Sequence, residues 1–549
     1  MSVQQEKRQR RRRRQIQARN RSIASVAKRK GSVCQQLANS EGNRRRLYPG
    51  LNLPGSTYSI LFGQTELKLL KRIGKNKNAL SSLRTTYSNA LDIWSHIHSL
   101  MPLRDAARAA CISRAFRSFW HHYPNLIFTA RGWGFTKKVD CILKNHSGIG
   151  IKSLRFESGV FYDAVASSQL DSWLQIAVTP SIEELTLRIL FYSTNYSDSK
   201  YDEYNFPCSL LSDGRGSSIR HLCLSNCALH PTINLDLRNL TRLHLAFVHI
   251  TGDELGCLLS NSYALERLEL AYCYGIICVK IPCLLQRLSH LEVSECEMLQ
   301  VIENKAPNLC SFRVKANHVQ LLLCESLQMK SLFLCYPIAL FYARAELPSY
   351  VPNLEALTVG SSHEMLDTPM LPSKLLHLKC LTISLTGAIT SSPAYDYLSL
   401  VYFLDACPSL GTFVLDVSWE RMGHVSVFED SSQLRQMLKH HRHDHLQSVK
   451  ITGFCSAKSL IELTRYVLDN TTALKYLTLD TTRGGYSCST GEYNKCFHMG
   501  EYNKCVPMGK GMITEANRAV LAIETHIEQK VPSTTKLTVV KPCSRCHII

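Results

Sequence analysis

From about Ile151 onward, apolar residues recur in one arrangement: an apolar residue, two variable positions, then two apolar residues separated by one. It is written as Ile219, Leu222 and Leu224, and again as Leu240, Leu243 and Leu245, as Leu265, Leu268 and Leu270, and as Leu288, Leu291 and Val293. It continues through Leu309, Phe312 and Val314, then Met329, Leu332 and Leu334, then Leu354, Leu357 and Val359, then Leu378, Leu381 and Ile383, and then Leu410, Phe413 and Leu415. The last two members of each group alternate with a variable residue, which is the period of a strand buried on one face. From Leu222, the middle anchors follow one another at 21, 25, 23, 21, 20, 25 and 24 residues. A strand that returns at so short an interval cannot bury its face alone and must stack on its neighbours, predicting a solenoid of parallel strands.

The interval lies inside the ~20 to 29 residues of a leucine-rich repeat. Cysteine supplies a second sign of that repeat, because Cys227, Cys273 and Cys296 stand three residues after Leu224, Leu270 and Val293. A small side chain at that point is expected to turn inward, so these thiols are read as structural. The rhythm loosens at the ends: Leu185 and Leu187 stand 37 residues before Leu222 and Leu224, and 32 residues separate Leu381 from Phe413 around Ser391-Ser392-Pro393. Beyond, Leu446, Val449 and Ile451 and then Leu474, Leu477 and Leu479 repeat the idiom, with a helix expected over 459–468. Ile513, Ala516, Val520, Ile523 and Ile527 step by three and four as an amphipathic helix does, and 536–540 reads as a final strand.

Ahead of the array lies a different pattern. Ile93, Trp94, Ile97 and Leu100 fall at helical spacing, Met101-Pro102-Leu103 interrupts, and a second helix is expected from Arg104-Asp105 through Ala106, Ala107, Ala109, Ala110, Ile112 and Phe116. About 40 residues so arranged are too few to bury a stable core and need a partner or a following domain. The run Ile93 to Asp105, followed by Cys111-Ile112-Ser113-Arg114 and Trp120, resembles a plant F-box. That resemblance implies binding of the Skp-type adaptor of a cullin-RING ubiquitin ligase through Ile93, Trp94, Ile97, Leu100, Met101, Pro102, Leu103, Ile112 and Trp120. F-boxes of this type begin Leu-Pro, whereas here Asn89-Ala90-Leu91-Asp92 stands in that place. A leucine-rich-repeat scaffold with a degenerate F-box, acting outside ubiquitination, is the alternative reading. The region beyond Leu446, with Gly453-Phe454 and Leu474-Lys475-Tyr476-Leu477, resembles the FBD module that follows such repeats in many plant proteins.

Charge changes the picture at one end. The net charge is +20, but the first 46 residues hold fifteen Lys and Arg against Glu6 and Glu41. Lys7-Arg8-Gln9-Arg10-Arg11-Arg12-Arg13-Arg14 and Lys28-Arg29-Lys30 predict a disordered basic tail. Two such clusters suit nuclear import, and would also hold nucleic acid through phosphate without sequence preference. The expected location is nucleus or cytoplasm or both. No run reaches the ~18 apolar residues of a membrane span, and 22 cysteines without a secretion signal are expected to stay reduced.

Candidate chemistry alters little. His440, His441, His443 and His445 crowd one stretch without a second ligand group, and read as a solvated, pH-sensitive loop. Cys543, Cys546 and His547 lack a complementary pair for zinc, and Cys546-His547-Ile548-Ile549 fits a prenylation box only loosely. No phosphate loop, dinucleotide fingerprint or nucleophile elbow stands in strand-turn-helix context. The sequence therefore predicts an α/β chain without a cofactor, metal or catalytic residue of its own. It comprises a disordered basic tail at 1–50, a linker at 51–88, an F-box at 89–130, a leucine-rich-repeat solenoid at 131–445, an FBD-like α/β cap at 446–542 with an inserted loop at 486–511, and a tail at 543–549. The function that follows from the resemblance is substrate recognition in an SCF-type ligase, with the adaptor, through it a cullin, and a protein target as partners. Catalysis belongs to those partners.

Overall fold

The computed structural model describes residues 93–130, 135–158, 167–189, 204–212, 214–231, 235–323, 327–362, 374–386, 395–418, 424–429, 433–435, 442–482 and 509–542. The basic clusters, Asn89 to Asp92, Ser391-Ser392-Pro393, His440, His441, the inserted loop through residue 508 and the tail from Cys543 lie outside the described residues.

Two compact units are present, the first reaching to residue 202 with 209–219 and the second comprising 203–208 and the chain from 220 onward. The first opens with three helices, α1 (93–100), α2 (Leu103–Ile112) and α3 (Arg114–Trp120). They lead into β1 (Asn125–Ala130), α4 (Phe135–Asn145), β2 (Ser153–Ser158), α5 (Ser167–Ala177) and β3 (Glu184–Ile189). The three strands are parallel, and Leu126, Leu154 and Leu185 share one register as Phe128, Phe156 and Leu187 share the next. Repeating strands thus begin at residue 125, inside the stretch 89–130 that helical spacing had joined to α1 and α2. The two anchors of β1 were masked in the sequence by exposed Ile127 between them, which breaks the apolar alternation. Behind the strands, Phe128 stacks on Phe156 at 5.1 Å and Phe156 on Trp173 at 5.7 Å, while the Trp173 indole N–H donates to Asp140 at 2.6 Å.

In the second unit the written anchors become β4 (His221–Ala228), β5 (Arg242–His249), β6 (Arg267–Ala271), β8 (His290–Ser294), β10 (Ser311–Lys315), β12 (Ser331–Cys335), β13 (Ala356–Ser362), β14 (Cys380–Thr386), β15 (Thr412–Ser418), β16 (Ser448–Thr452), β17 (Tyr476–Asp480) and β18 (Lys536–Val540). They form one long parallel sheet in that order. Leu243, Leu268, Leu291, Phe312, Leu332, Leu357 and Leu381 occupy one row of it, all buried. Each such side chain removed from water contributes about 1.5–3 kcal/mol, and the row is continuous only because the register never slips.

What lies between the strands differs with repeat length in the middle of the array. The 25-residue step from Leu243 to Leu268 holds α6 (Gly252–Ser260), and that from Leu332 to Leu357 holds α7 (Ala339–Ala345) and α8 (Leu347–Tyr350). The shorter steps of 23, 21 and 20 hold instead β7 (Cys278–Ile281), β9 (Val301–Asn304) and β11 (Gln320–Leu323), which form a second parallel sheet of three strands. A strand rises more than twice as far per residue as a helix, so it closes the return path with fewer residues. Later elements are η-turn Tyr397–Leu400, α9 (Val401–Asp405), α10 (Lys458–Asn470) and α11 (Lys510–His526).

The inward cysteines have a backbone cause. Strict alternation after Leu224, Leu270 and Val293 would bury the second following residue and expose the third. Instead Asn226, Phe247, Tyr272 and Glu295, at equivalent points of four successive repeats, have φ of 52–56°. One left-handed residue shifts the alternation by one position, in the manner of a bulge, and turns Cys227, Val248, Cys273 and Cys296 inward. The Cys273 thiol donates to the Leu245 carbonyl at 3.5 Å. Its neighbour Cys296 and burial together push the Cys273 thiol well above the ordinary range, consistent with a structural role.

Candidate functional site

Alternation of faces on α1 separates the residues that its sequence presents together. Trp94 and His98, four apart, turn inward. His98 is buried, with Nε2 3.2 Å from the Ala106 carbonyl of α2 and its ring stacked on Phe116 of α3 at 5.5 Å. Trp94 meets Phe116 edge-on at 5.9 Å. Small residues Ala106, Ala107 and Ala110 give α2 the close approach this packing needs. Burial lowers the His98 pKa below its ordinary 6.5, the hydrogen bond to Ala106 only partly opposing it. Tyr123 closes the base by donating its hydroxyl to the Met101 carbonyl at 2.5 Å, and Asn125 donates to Ser99.

The opposite stripe is open. Ile93, Ile97 and Leu100, at positions i, i+4 and i+7, are 60%, 38% and 71% exposed, and Ile112 on α2 is 70% exposed. Met101 and Leu103 are half-buried and Pro102, which stands at the start of α2, is exposed. Trp120 is placed differently from these: it is buried in the chain's own core, stacked on Tyr123 at 5.8 Å. Of the nine residues singled out for adaptor binding, the structure brings Ile93, Ile97, Leu100 and Ile112 to exposed positions and uses Trp120 to support the fold. Sequence reasoning missed His98 and Tyr123. The four-residue step from Trp94 to His98 was the available signal for the first.

A second surface lies on the outward side of the long sheet. His244, Glu269, Glu292, Arg313 and Phe333 form one row across β5 to β12. His244 Nδ1 meets Glu269 at 2.6 Å and Arg267 also binds that carboxylate, so its pKa falls to about 2. The Arg313 guanidinium lies 3.6 Å from Glu292 and 4.1 Å over the Phe333 ring. Glu269, His290 and Glu292 come close enough to share a metal ion, but the cations beside both carboxylates already neutralise them. Next to this row, the exposed rings of Phe247 and Tyr272 stack in parallel at 4.6 Å. Farther along, the equivalent row reads Thr358, Thr382, Val414, Lys450, Thr478 and Thr538, with one charge. Paired charge and aromatic surface, suited to contacting another macromolecule, is thus concentrated on β5 to β10.

The histidine stretch departs from expectation. His443 is buried, not solvated: its backbone N–H donates to the Asn470 carbonyl and Nε2 lies 3.3 Å from Asp405 and 3.4 Å from the Tyr466 hydroxyl. The packing of α10 on the turn before β16 draws it in. No described helix is long and apolar enough to cross a membrane.

The fold defines a leucine-rich-repeat protein preceded by a short helical segment. The sequence model of the family described as "At1g61320/AtMIF1, LRR domain" matches residues 142–544, and the chain belongs to that family. Its curated relatives carry F-box and F-box/leucine-rich-repeat names. Among curated relatives from Arabidopsis thaliana, the putative F-box/FBD/LRR-repeat protein At4g03220 is 23% identical over 476 residues, covering 73% of this chain and 89% of the relative. The F-box/LRR-repeat protein At5g02910 is 24% identical over 275 residues, or 49% of this chain and 53% of its own length. The F-box protein At5g03100 is 23% identical over 264 residues, covering 48% of this chain and 74% of the relative. The chain therefore spans about half the length of At5g02910.

Proposed function

We propose that this chain is the substrate-recognition subunit of an SCF-type cullin-RING ubiquitin ligase. The open stripe Ile93, Ile97, Leu100 and Ile112, with Met101, Pro102 and Leu103 at its edge, docks a Skp-type adaptor and through it a cullin. The outward face of β5 to β10 takes a protein target, and catalysis resides in the partner proteins. The observation that carries the reading is the exposure of four large apolar residues in a segment whose other face turns inward through Trp94 and His98, since a few apolar anchors dominate such interfaces. The F-box names of the relatives support it. The basic clusters at Lys7 to Arg14 and Lys28 to Lys30 direct the protein to the nucleus, with a further pool in the cytoplasm.

Asn89-Ala90 in place of Leu-Pro favours the second reading, a repeat scaffold with a degenerate F-box. Titration calorimetry of the full chain with purified Skp-type adaptor separates the two. Binding that is lost in Ile97→Asp, Leu100→Asp with unchanged circular dichroism supports the ligase reading. Binding seen only after Leu-Pro is restored at 89–90 supports the scaffold, and failure of both forms overturns adaptor docking.

A further inference from the structure

Three residues far apart in sequence converge inside the carboxyl-terminal part of the second unit. Cys455 sits in the turn between β16 and α10, Glu515 on α11, and His424 on the segment that precedes a bridge at Ser426. Their ligating atoms all lie within 4.8 Å of one another. Cys455 is fully buried and Glu515 nearly so, while the His424 side chain keeps 17% of its surface and opens the cluster to solvent. His424 Nε2 and Glu515 Oε1 are 3.3 Å apart. A strong hydrogen bond between an imidazolium and a carboxylate is shorter, ~2.7–2.9 Å. Two ligands bound at ~2.0 Å to one tetrahedral ion are about 3.3 Å apart.

We propose that His424, Cys455 and Glu515 form a three-ligand site for a divalent zinc-type ion, with solvent at a fourth position. A thiolate, an imidazole and a carboxylate are the donor set this ion prefers, and thiolate plus carboxylate cancel its charge, which burial requires. On binding, the Cys455 thiol releases its proton to solvent as the sulfur-metal bond forms. The imidazole binds through Nε2 with its remaining hydrogen on Nδ1, and the carboxylate exchanges its contact with the ring for one with the ion.

The supports around the site are already rigid. Ser426 and Ala457 pair as an antiparallel bridge, with Val427 N–H on the Ser456 carbonyl and Lys458 N–H on the Val425 carbonyl. The Ser426 and Ser456 hydroxyls are 2.8 Å apart, and the Ser456 backbone N–H donates to Glu515 Oε1 at 2.6 Å, orienting the carboxylate. One turn along α11, Arg518 holds Glu429 at 2.7 Å. Such second contacts fix metal ligands and account for ten- to hundredfold in affinity at known sites. A bound ion would clamp α11 to the end of the repeat array.

The test is titration of the full, reduced chain with Co²⁺ alone, read by sulfur-to-cobalt charge-transfer absorption, followed by displacement with Zn²⁺. The expected result is one tetrahedral equivalent per chain that is lost in Cys455→Ser and in Glu515→Gln, and kept in a Cys543→Ser, Cys546→Ser variant. Zn²⁺ is expected to raise the melting temperature of the wild type but not of Glu515→Gln, whose amide oxygen still accepts from Ser456. Should Cys455→Ser fail to fold, His424→Gln at the solvent edge carries the same test. A thiolate band that persists in folded Glu515→Gln and His424→Gln, or no band in the folded wild type, overturns the site and leaves a hydrogen-bonded cluster only.

Discussion

Apolar residues at regular spacing do opposite things in the two parts of this chain. In the repeat array the anchors of every described strand from β4 to β17 are buried, each against the equivalent anchor of its neighbour. In α1 and α2 the regularly spaced Ile93, Ile97, Leu100 and Ile112 stay in water, while Trp94, His98 and Phe116 build the inner face. An array supplies its own partner for each apolar face, because the next repeat carries the same one. A lone helical segment has two apolar faces and only one neighbour. Regular spacing therefore marks an apolar face without saying whether the chain itself covers it.

Truncating a leucine in each part gives the sharpest form of the contrast. Leu268→Ala, in the centre of the buried row, is expected to cost about 2–5 kcal/mol in urea unfolding. Leu100→Ala is expected to stay within about 0.5 kcal/mol, as an exposed position does. Equal losses at both sites would show that α1 is covered within the chain and would break the comparison.

Packing between repeats should be the next most sensitive feature. Gly252 begins α6 so close to β7 that an added Cβ would lie 2.4 Å from the Cys278 carbonyl oxygen. Gly252→Ala is expected to destabilise by roughly 1–3 kcal/mol and to shift α6 off β7, seen as faster amide exchange in 252–281. The start of the same helix is closed by a capping box, Thr251 N–H on Glu254 at 2.8 Å and Glu254 N–H on the Thr251 hydroxyl at 3.3 Å. Thr251→Ala is expected to cost about 1 kcal/mol in the same unfolding measurement.

The smallest effect is confined to the helical segment and depends on pH. Because His98 titrates below 6.5 when folded, the unfolded segment takes up a proton first as pH falls. Its contribution to stability is complete above about pH 6.5 and declines below it, by the linkage between proton uptake and unfolding. Amide exchange of residues 93–112 is expected to quicken, beyond the intrinsic pH effect, between pH 7.5 and 5.5 at about the unperturbed imidazole range. His98→Gln should remove that dependence and leave the repeat array unchanged.

Much of the fold was legible because a strand anchor and its repeat interval are both local facts. The strand at 536–540 and the helix over 459–468 were bounded within two residues, and the inward cysteines were placed by counting from an anchor. The second sheet of β7, β9 and β11 was not foreseen, since Val279, Ile302 and Leu321 each belong to strands of four residues, too short for their alternation to stand out. Nor was the burial of His443, which depends on Asp405 and Tyr466 from elements far off in sequence. The amino-terminal helical segment was legible as two helices and a proline, but not as two faces. The sequence by itself determined the period, the parallel strands and the left-over charge of the amino terminus, because these follow from alternation, interval and composition. Only the tertiary structure decided which apolar stripe of α1 remains open, that Trp120 is buried against Tyr123, and that His424, Cys455 and Glu515 meet, because each depends on which distant surface the chain brings against it.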